Sequence, residues 1–215
     1  DAISVEGDTI TAGAGVKFKR VAAAARNAGL GGFEWMEGIP GSVGGGIRMN
    51  AGAMGTETFD QVVSVRYLDL MGGLHEKTRD QITYRYRSVP EFMENVCVSA
   101  TFRGITAAQA DIDAKLALSM EKRKTSQPIA ASAGCVFKNP STCPAGKLIQ
   151  ELGLKGTRIG AAAISDVHGN FIVNEGGASA RDVLDLIATV QRTAREQRGI
   201  DIETEVQIIG DDTPF

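Results

Sequence analysis

Residues 38–55 read Gly-Ile-Pro-Gly-Ser-Val-Gly-Gly-Gly-Ile-Arg-Met-Asn-Ala-Gly-Ala-Met-Gly, with seven glycines in eighteen positions. Consecutive small residues leave backbone N–H groups accessible and let the main chain approach a phosphate or a flat ring. The stretch is not GxxxxGK[ST], because no lysine follows, and not GxGxxG, because Pro40 interrupts it. A set of tight turns is the alternative reading. A second cluster, Ala131-Ser-Ala-Gly-Cys-Val-Phe-Lys-Asn-Pro140, places Cys135 after Gly134 and before an apolar pair, with Lys138-Asn139 adding polar groups beside a predicted strand. A lone cysteine beside Val136 and Phe137 is most often a buried small hydrophobe, whereas its polar neighbours favour access. Tyr84-Arg85-Tyr86-Arg87 alternates ring and cation, so on a strand both arginines share one face, either functional or simply solvated at an edge. Glu203-Thr204-Glu205 puts two carboxylates on one face of a predicted final strand, by default a surface face. His168-Gly169-Asn170 predicts a turn in which the histidine caps.

These groups must be positioned by a chain of 215 residues, enough for one large domain or two small ones with a real core. The net charge is −3 with lysines and arginines scattered, and aromatic residues are only 6% of the chain, which leaves no basic face or stacking platform for nucleic acid. No apolar run approaches the roughly 18 residues of a membrane span. The three cysteines, at 97, 135 and 143, lack CxxC spacing and are odd in number, against a disulfide framework or zinc site and in favour of a reducing cytoplasm. Asp1-Ala2-Ile3-Ser4 has no secretory-signal character. The 26 glycines exceed the usual ~7% share.

Periodicity and turn signals predict a hairpin around Gly7-Asp8, a helix over 16–28 ended by Gly29, Gly31 and Gly32, and strands over 61–70 and 96–103, with Gly72-Gly73 turning between sheet elements. This makes a first unit of about 105 residues. An amphipathic helix over 107–124, with Ile112, Leu116, Leu118 and Met120, links the halves and stops before Pro128. A strand over 134–137, a helix over 145–152, strands over 161–164 and 171–174, a helix over 179–198 and a strand over 202–209 then form a second α+β unit.

Taken in order, these motifs strongly resemble the UDP-N-acetylenolpyruvoylglucosamine reductase (MurB) family of flavoenzymes in peptidoglycan synthesis. They are the Gly38–Gly55 stretch, Tyr84-Arg85, Ser132–Pro140, Ala145-Gly-Lys-Leu-Ile-Gln with Gly153-Leu-Lys-Gly156, His168–Asn174 and Ile202-Glu-Thr-Glu-Val206. The resemblance covers about residues 1–210. It implies an α+β chain: the C-terminal part of a VAO/PCMH-type FAD-binding module over 1–105, then a MurB C-terminal substrate domain over 106–215. It also implies a two-step reaction in which NADPH reduces bound FAD, and the flavin passes hydride to the enolpyruvyl ether of UDP-N-acetylglucosamine enolpyruvate, giving UDP-N-acetylmuramate.

Carried over position by position, the family pattern makes Arg85, Cys135 and Glu205 catalytic, with the arginine stabilising enolate charge and Cys135 as the proton donor. Ile39, Pro40, Gly41, Ser42, Gly44, Gly45, Asn50 and Gly52 fall on cofactor-binding positions, and Lys138, Asn139 and Arg87 on substrate-binding ones. The pattern includes no metal. It also implies a cytoplasmic monomer with neither nucleic-acid nor membrane partner. Two features depart from the family. Its acid is usually serine, but a thiol of ordinary pKa about 8.5 is protonated at pH 7 and can donate. Tyr86-Arg87 duplicates Tyr84-Arg85. The preceding Ile82-Thr83 and the 50-residue separation of Arg85 from Cys135, suited to the shorter type II branch, favour Arg85. Complete members carry an N-terminal FAD-binding subdomain with its own glycine-rich loop, to which nothing here corresponds. The alternatives are therefore a truncated, FAD-deficient UDP-sugar-binding fragment and, with less weight, another flavin-dependent oxidoreductase of the superfamily.

Overall fold

The computed structural model describes residues 1–210. The chain divides into two compact units, the first from Asp1 to Arg123 and the second from Lys124 onward, whereas the sequence reading divides it at 105/106.

In the first unit, the Gly7-Asp8 hairpin forms as predicted, with β1 (Ile3–Glu6) antiparallel to β2 (Thr9–Gly13). Alternation on β2 turns Ile10 and Ala12 inward. Helix α1 (Phe18–Asn27) follows and buries Phe18, Val21, Ala22 and Ala25 at helical spacing. After the short β3 (Leu30–Gly31) comes helix α2 (Val43–Met49), formed by residues whose intrinsic helix propensity is poor. Next are the small hairpin β4 (Gly52–Ala53) and β5 (Thr56–Glu57), β6 (Val62–Leu68), β7 (Leu74–Thr78), the single turn α3 (Glu91–Glu94), β8 (Val96–Arg103), β9 (Ile105–Thr106) and helix α4 (Gln109–Ser126). The main sheet is antiparallel in the order β1-β2-β8-β6-β7. Its core gathers Ile10, Phe18, Phe33, Phe59 and Phe102, with Phe18 edge-on to Trp35 at 5.7 Å.

Helix α4 is not the amphipathic element that its sequence predicts. Only Ile112 and Ser119 are buried, while Leu118 and Met120 lie exposed.

The second unit has a four-stranded antiparallel sheet in the order β10-β13-β12-β11, from β10 (Ser132–Cys135), β11 (Arg158–Ile159), β12 (Ala162–Ile164) and β13 (Phe171–Asn174). Helices α5 (Ala145–Glu151) and α6 (Ala180–Arg198) bury Leu148, Ile149, Leu186, Ile187 and Val190 in the same apolar core as Ile164 and Ile172. The limits of α6 follow from its caps. Ser179 Oγ accepts from the Asp182 amide at 3.1 Å and Asp182 Oδ2 from the Ser179 amide at 2.9 Å, while Gly199, at φ +64°, ends the helix. The predicted strand over 202–209 does not form. Among the described residues of that segment only Thr204 makes a β-bridge, to Phe137.

Candidate active site

The glycine-rich segment of the first unit is laced to residues 14–18. The Val43 and Gly44 amides each donate at 2.9 Å, to the Val16 and Ala14 carbonyls, and the Phe18 amide donates to the Gly41 carbonyl at 3.0 Å. The Gly41 and Gly46 amides are also spent internally, on the Ile39 and Ser42 carbonyls. Among the described residues, the Ser42 and Gly45 amides have no acceptor. Much of the glycine content serves packing: a Cβ on Gly44 would stand 3.0 Å from Ala14 Cβ, and one on Gly46 2.0 Å from Phe18 Cζ. A Cβ on Gly41 or Gly45 would make only ordinary contacts, with Ile39 Cγ2 at 3.9 Å and Ser42 Oγ at 3.8 Å respectively. Two free N–H donors on a side-chain-poor surface, flanked by half-buried Ile39 and exposed Pro40, fit close approach by a flavin nucleotide.

Asn50, fully buried at φ +42°, caps α2. Its Nδ2 donates to Glu57 Oε2 at 2.7 Å, and its Oδ1 accepts from the Phe59 amide at 3.1 Å. The side chain of this predicted cofactor contact is therefore engaged within the protein. Gly52, another predicted contact, is closed off by its own hairpin, since a Cβ there would meet the Thr56 carbonyl at 2.5 Å.

Tyr84–Arg87 is not a strand. Arg85 and Ser88 bridge across a tight turn, with the Arg85 amide donating to the Ser88 carbonyl at 2.8 Å and Arg87 at φ +52°. The turn sends the two arginines to different surroundings. Arg87 donates to the carbonyls of Asn50 (3.3 Å) and Gly52 (3.2 Å), lies 3.8 Å from Glu57 Oε1 and covers the Tyr86 ring. The Arg85 guanidinium is exposed and has no hydrogen bond or ion pair among the described residues.

In the second unit, Cys135 ends β10 opposite Phe171, just past a bulge made where Ser132 pairs with Val173 and Gly134 takes φ +83°. Glu205 donates its amide to the Val136 carbonyl at 2.7 Å. The two residues thus flank one backbone position, each half-buried. Lys138 pairs with Glu203 (3.0 Å), and Asn139 Oδ1 accepts from the Ala145 amide (2.9 Å) at the start of α5. The histidine turn forms as predicted, with His168 Nδ1 accepting from the Asn170 amide at 3.1 Å. Burial, assisted by Lys155, holds His168 below its ordinary pKa of 6.5. Burial pushes the Cys97 thiol up to about 12, an inert site. A cleft of about 410 Å³, lined by Lys124, Gln127, Arg158, Asp166 and Glu175 among others, contains none of the predicted site residues. Sequence reasoning did not single out Asn170 or Glu57 as organisers, and only the Gly134 signal hinted at the bulge.

Residues 1–78 match the family described as FAD binding domain, and residues 123–209 match UDP-N-acetylenolpyruvoylglucosamine reductase, C-terminal domain. The UDP-N-acetylenolpyruvoylglucosamine reductase of Bacillus velezensis is 40% identical over 98% of this chain and 70% of its own length. Its counterpart in Clostridium perfringens (strain 13 / Type A) is 42% identical at the same coverages. The crystal structure of the Thermus caldophilus enzyme superposes with a TM-score of 0.82 at 37% identity, over 92% of this chain and 71% of that one. These matches span both units, and this chain belongs to the UDP-N-acetylenolpyruvoylglucosamine reductase family.

Proposed function

We propose that the chain carries the NADPH- and FAD-dependent reduction of UDP-N-acetylglucosamine enolpyruvate to UDP-N-acetylmuramate. The first unit is the FAD-binding part and the second the substrate domain. The observation that carries this reading is the pairing of Cys135 and Glu205 about Val136 in the second unit, together with an uncommitted Arg85 on the first.

FAD, when bound, supplies the hydride that it received from NADPH. The Ser42 and Gly45 amides would hold its negatively charged part, and Gly41 and Gly45 would permit close approach. Hydride addition to the vinyl carbon leaves negative charge on the substrate carboxylate as an enolate, and Arg85 stabilises that charge. A preorganised donor of this kind contributes roughly 3 kcal/mol. Cys135 gives its proton to the neighbouring carbon, and Glu205 works beside it. Lys138 and Asn139, one and two residues past the Val136–Phe137 pair, bind the substrate. Cys97, Cys135 and Cys143 are not joined in disulfides, which supports action in a reducing cytoplasm, and we assign a monomer without nucleic-acid or membrane partner.

The test is anaerobic flavin spectroscopy. NADPH is expected to bleach the protein-bound FAD band, and the enolpyruvyl substrate to restore it. Substrate binding without flavin uptake would instead identify a UDP-sugar-binding segment.

A further inference from the structure

Asn170 is 3% exposed, and three of its four polar atoms hold the segment that follows Cys135. Its Oδ1 accepts from the Phe137 amide at 2.9 Å and its Nδ2 donates to the Phe137 carbonyl at 2.8 Å. Its backbone carbonyl accepts from the Val136 amide, also at 2.9 Å. A carboxamide offers a donor and an acceptor side by side, as a peptide group does. Asn170 therefore extends the β10–β13 ladder past Cys135, where regular pairing stops. On the opposite edge of the same segment, the Glu205 amide meets the Val136 carbonyl at 2.7 Å and the Lys138 amide meets the Glu203 carbonyl at 2.9 Å. Val136–Phe137 is thus held from both sides.

We infer that Asn170 is a positioning residue: its carboxamide fixes the register of Val136–Phe137 and, through it, the placement of the Cys135 thiol against the Glu205 carboxylate. This rests on the function proposed above. A register slip of one residue turns side chains to the other face of a sheet, and a displacement of about 1 Å at a reacting group costs on the order of 10² in rate. Cys135 follows a bulge, so β10 alone does not set its register, and the carboxamide supplies the missing constraint.

Asn170→Asp tests this by its own titration. Ionised, the side chain still accepts from the Phe137 amide but turns an oxygen against the Phe137 carbonyl. At a site this buried desolvation drives the introduced carboxyl to protonate well above the ordinary ~3.9 of aspartate, and once protonated it restores the donor. Cys135, Lys138, Glu203, Glu205 and His168 surround the segment in the unaltered protein as well, so every rate is taken relative to that protein at the same pH. In the FAD-loaded variant, flavin reoxidation by the enolpyruvyl substrate is expected to slow by about 10²-fold at pH 8.5 and to recover at pH 6, with reduction by NADPH following the unaltered protein throughout. Alkylation of Cys135 by iodoacetamide and deuterium exchange of the Glu205 amide, followed by mass spectrometry, should depart from the unaltered protein at pH 8.5 and return at pH 6. Melting curves at both pH values report folding. If Asn170→Asp is unfolded at pH 8.5, Asn170→Ser, which keeps one hydroxyl partner, is expected to show the same split between half-reactions at pH 7.

Equal slowing of both half-reactions in step with melting temperature would make Asn170 merely structural and overturn the inference. Unaltered reoxidation at both pH values would overturn it too. If the unaltered protein fails to reoxidise its flavin with this substrate, the proposed function falls, and the alkylation and exchange comparisons still decide the placement of Cys135.

Discussion

Asn50 Nδ2 donates to the carbonyl oxygen of Arg85 across 3.2 Å. The same nitrogen reaches Glu57, and the Asn50 carbonyl takes a hydrogen bond from Arg87. The end of the glycine-rich segment and the turn bearing both arginines are therefore one bonded body, in which Arg87 is a strut and Arg85 projects outward.

Replacing the two arginines should separate these roles. Arg87→Met leaves the Asn50 and Gly52 carbonyls and Glu57 without their cation, so unfolding free energy should fall by about 1–3 kcal/mol. Arg85→Met, at an exposed side chain, should change stability by at most about 0.5 kcal/mol. It should lower turnover with the enolpyruvyl substrate far more than binding, because enolate charge appears only after hydride arrives. Denaturant melts and steady-state kinetics on both variants check the split. Loss of turnover confined to Arg87→Met would exchange the assignments.

Cys135→Ala should leave flavin reduction by NADPH intact and slow reoxidation by substrate by about 10²–10⁴-fold. Cys135→Ser should recover much of that loss, since a hydroxyl can donate from the same place. A purely packing cysteine gives the reverse order, with serine the worse replacement because it buries a hydroxyl. Stopped-flow absorbance resolves the two half-reactions.

Gly45 lies exposed inside α2, where an added Cβ would meet only Ser42 Oγ at an ordinary 3.8 Å. Gly45→Ala should therefore stabilise the fold by up to about 1 kcal/mol, through helix propensity and reduced freedom of the unfolded chain. It should also weaken FAD binding, because the methyl group occupies the approach to a free amide. Opposite changes in melting temperature and flavin affinity are the signature.

Protonation of His168 should cost stability at mildly acid pH. Its folded pKa lies below 6.5, so the unfolded chain binds the proton more readily, and stability contributed by the neutral ring is lost as pH falls through 6.5 towards the folded value. A proton on Nδ1 also removes the acceptor for the Asn170 amide. Melting temperature should drop between pH 7.5 and 5.5, and His168→Asn should flatten that slope.

Elements governed by local chemistry were legible in the sequence: the Gly7-Asp8 hairpin, α1, and α6 with its Ser179 start. Elements made by distant partners were not. Helix α2 forms from glycines because residues 14–18 satisfy its entrance, which no propensity reveals. The alternation in Tyr84–Arg87 has the period of a strand, yet Arg87 in the left-handed region closes a turn. The apolar run over 202–209 looked like a strand, but only its Thr204 finds a β-partner among the described residues. For the site, residue types alone left Cys135, Glu205 and Arg85 with ordinary structural readings, and the family resemblance gave them their roles. It gave Asn50 as a cofactor contact, while the internal hydrogen bonding of the Asn50 and Asn170 carboxamides depends on distant partners that the sequence does not show.

The approach of Gly46 to Phe18 also constrains how the sequence can drift. With space for no more than a hydrogen between the α2 backbone and the Phe18 ring, any enlargement at position 46 requires a simultaneous reduction at position 18. The two positions are therefore expected to covary among relatives, and a library that randomises position 46 alone should return glycine and little else.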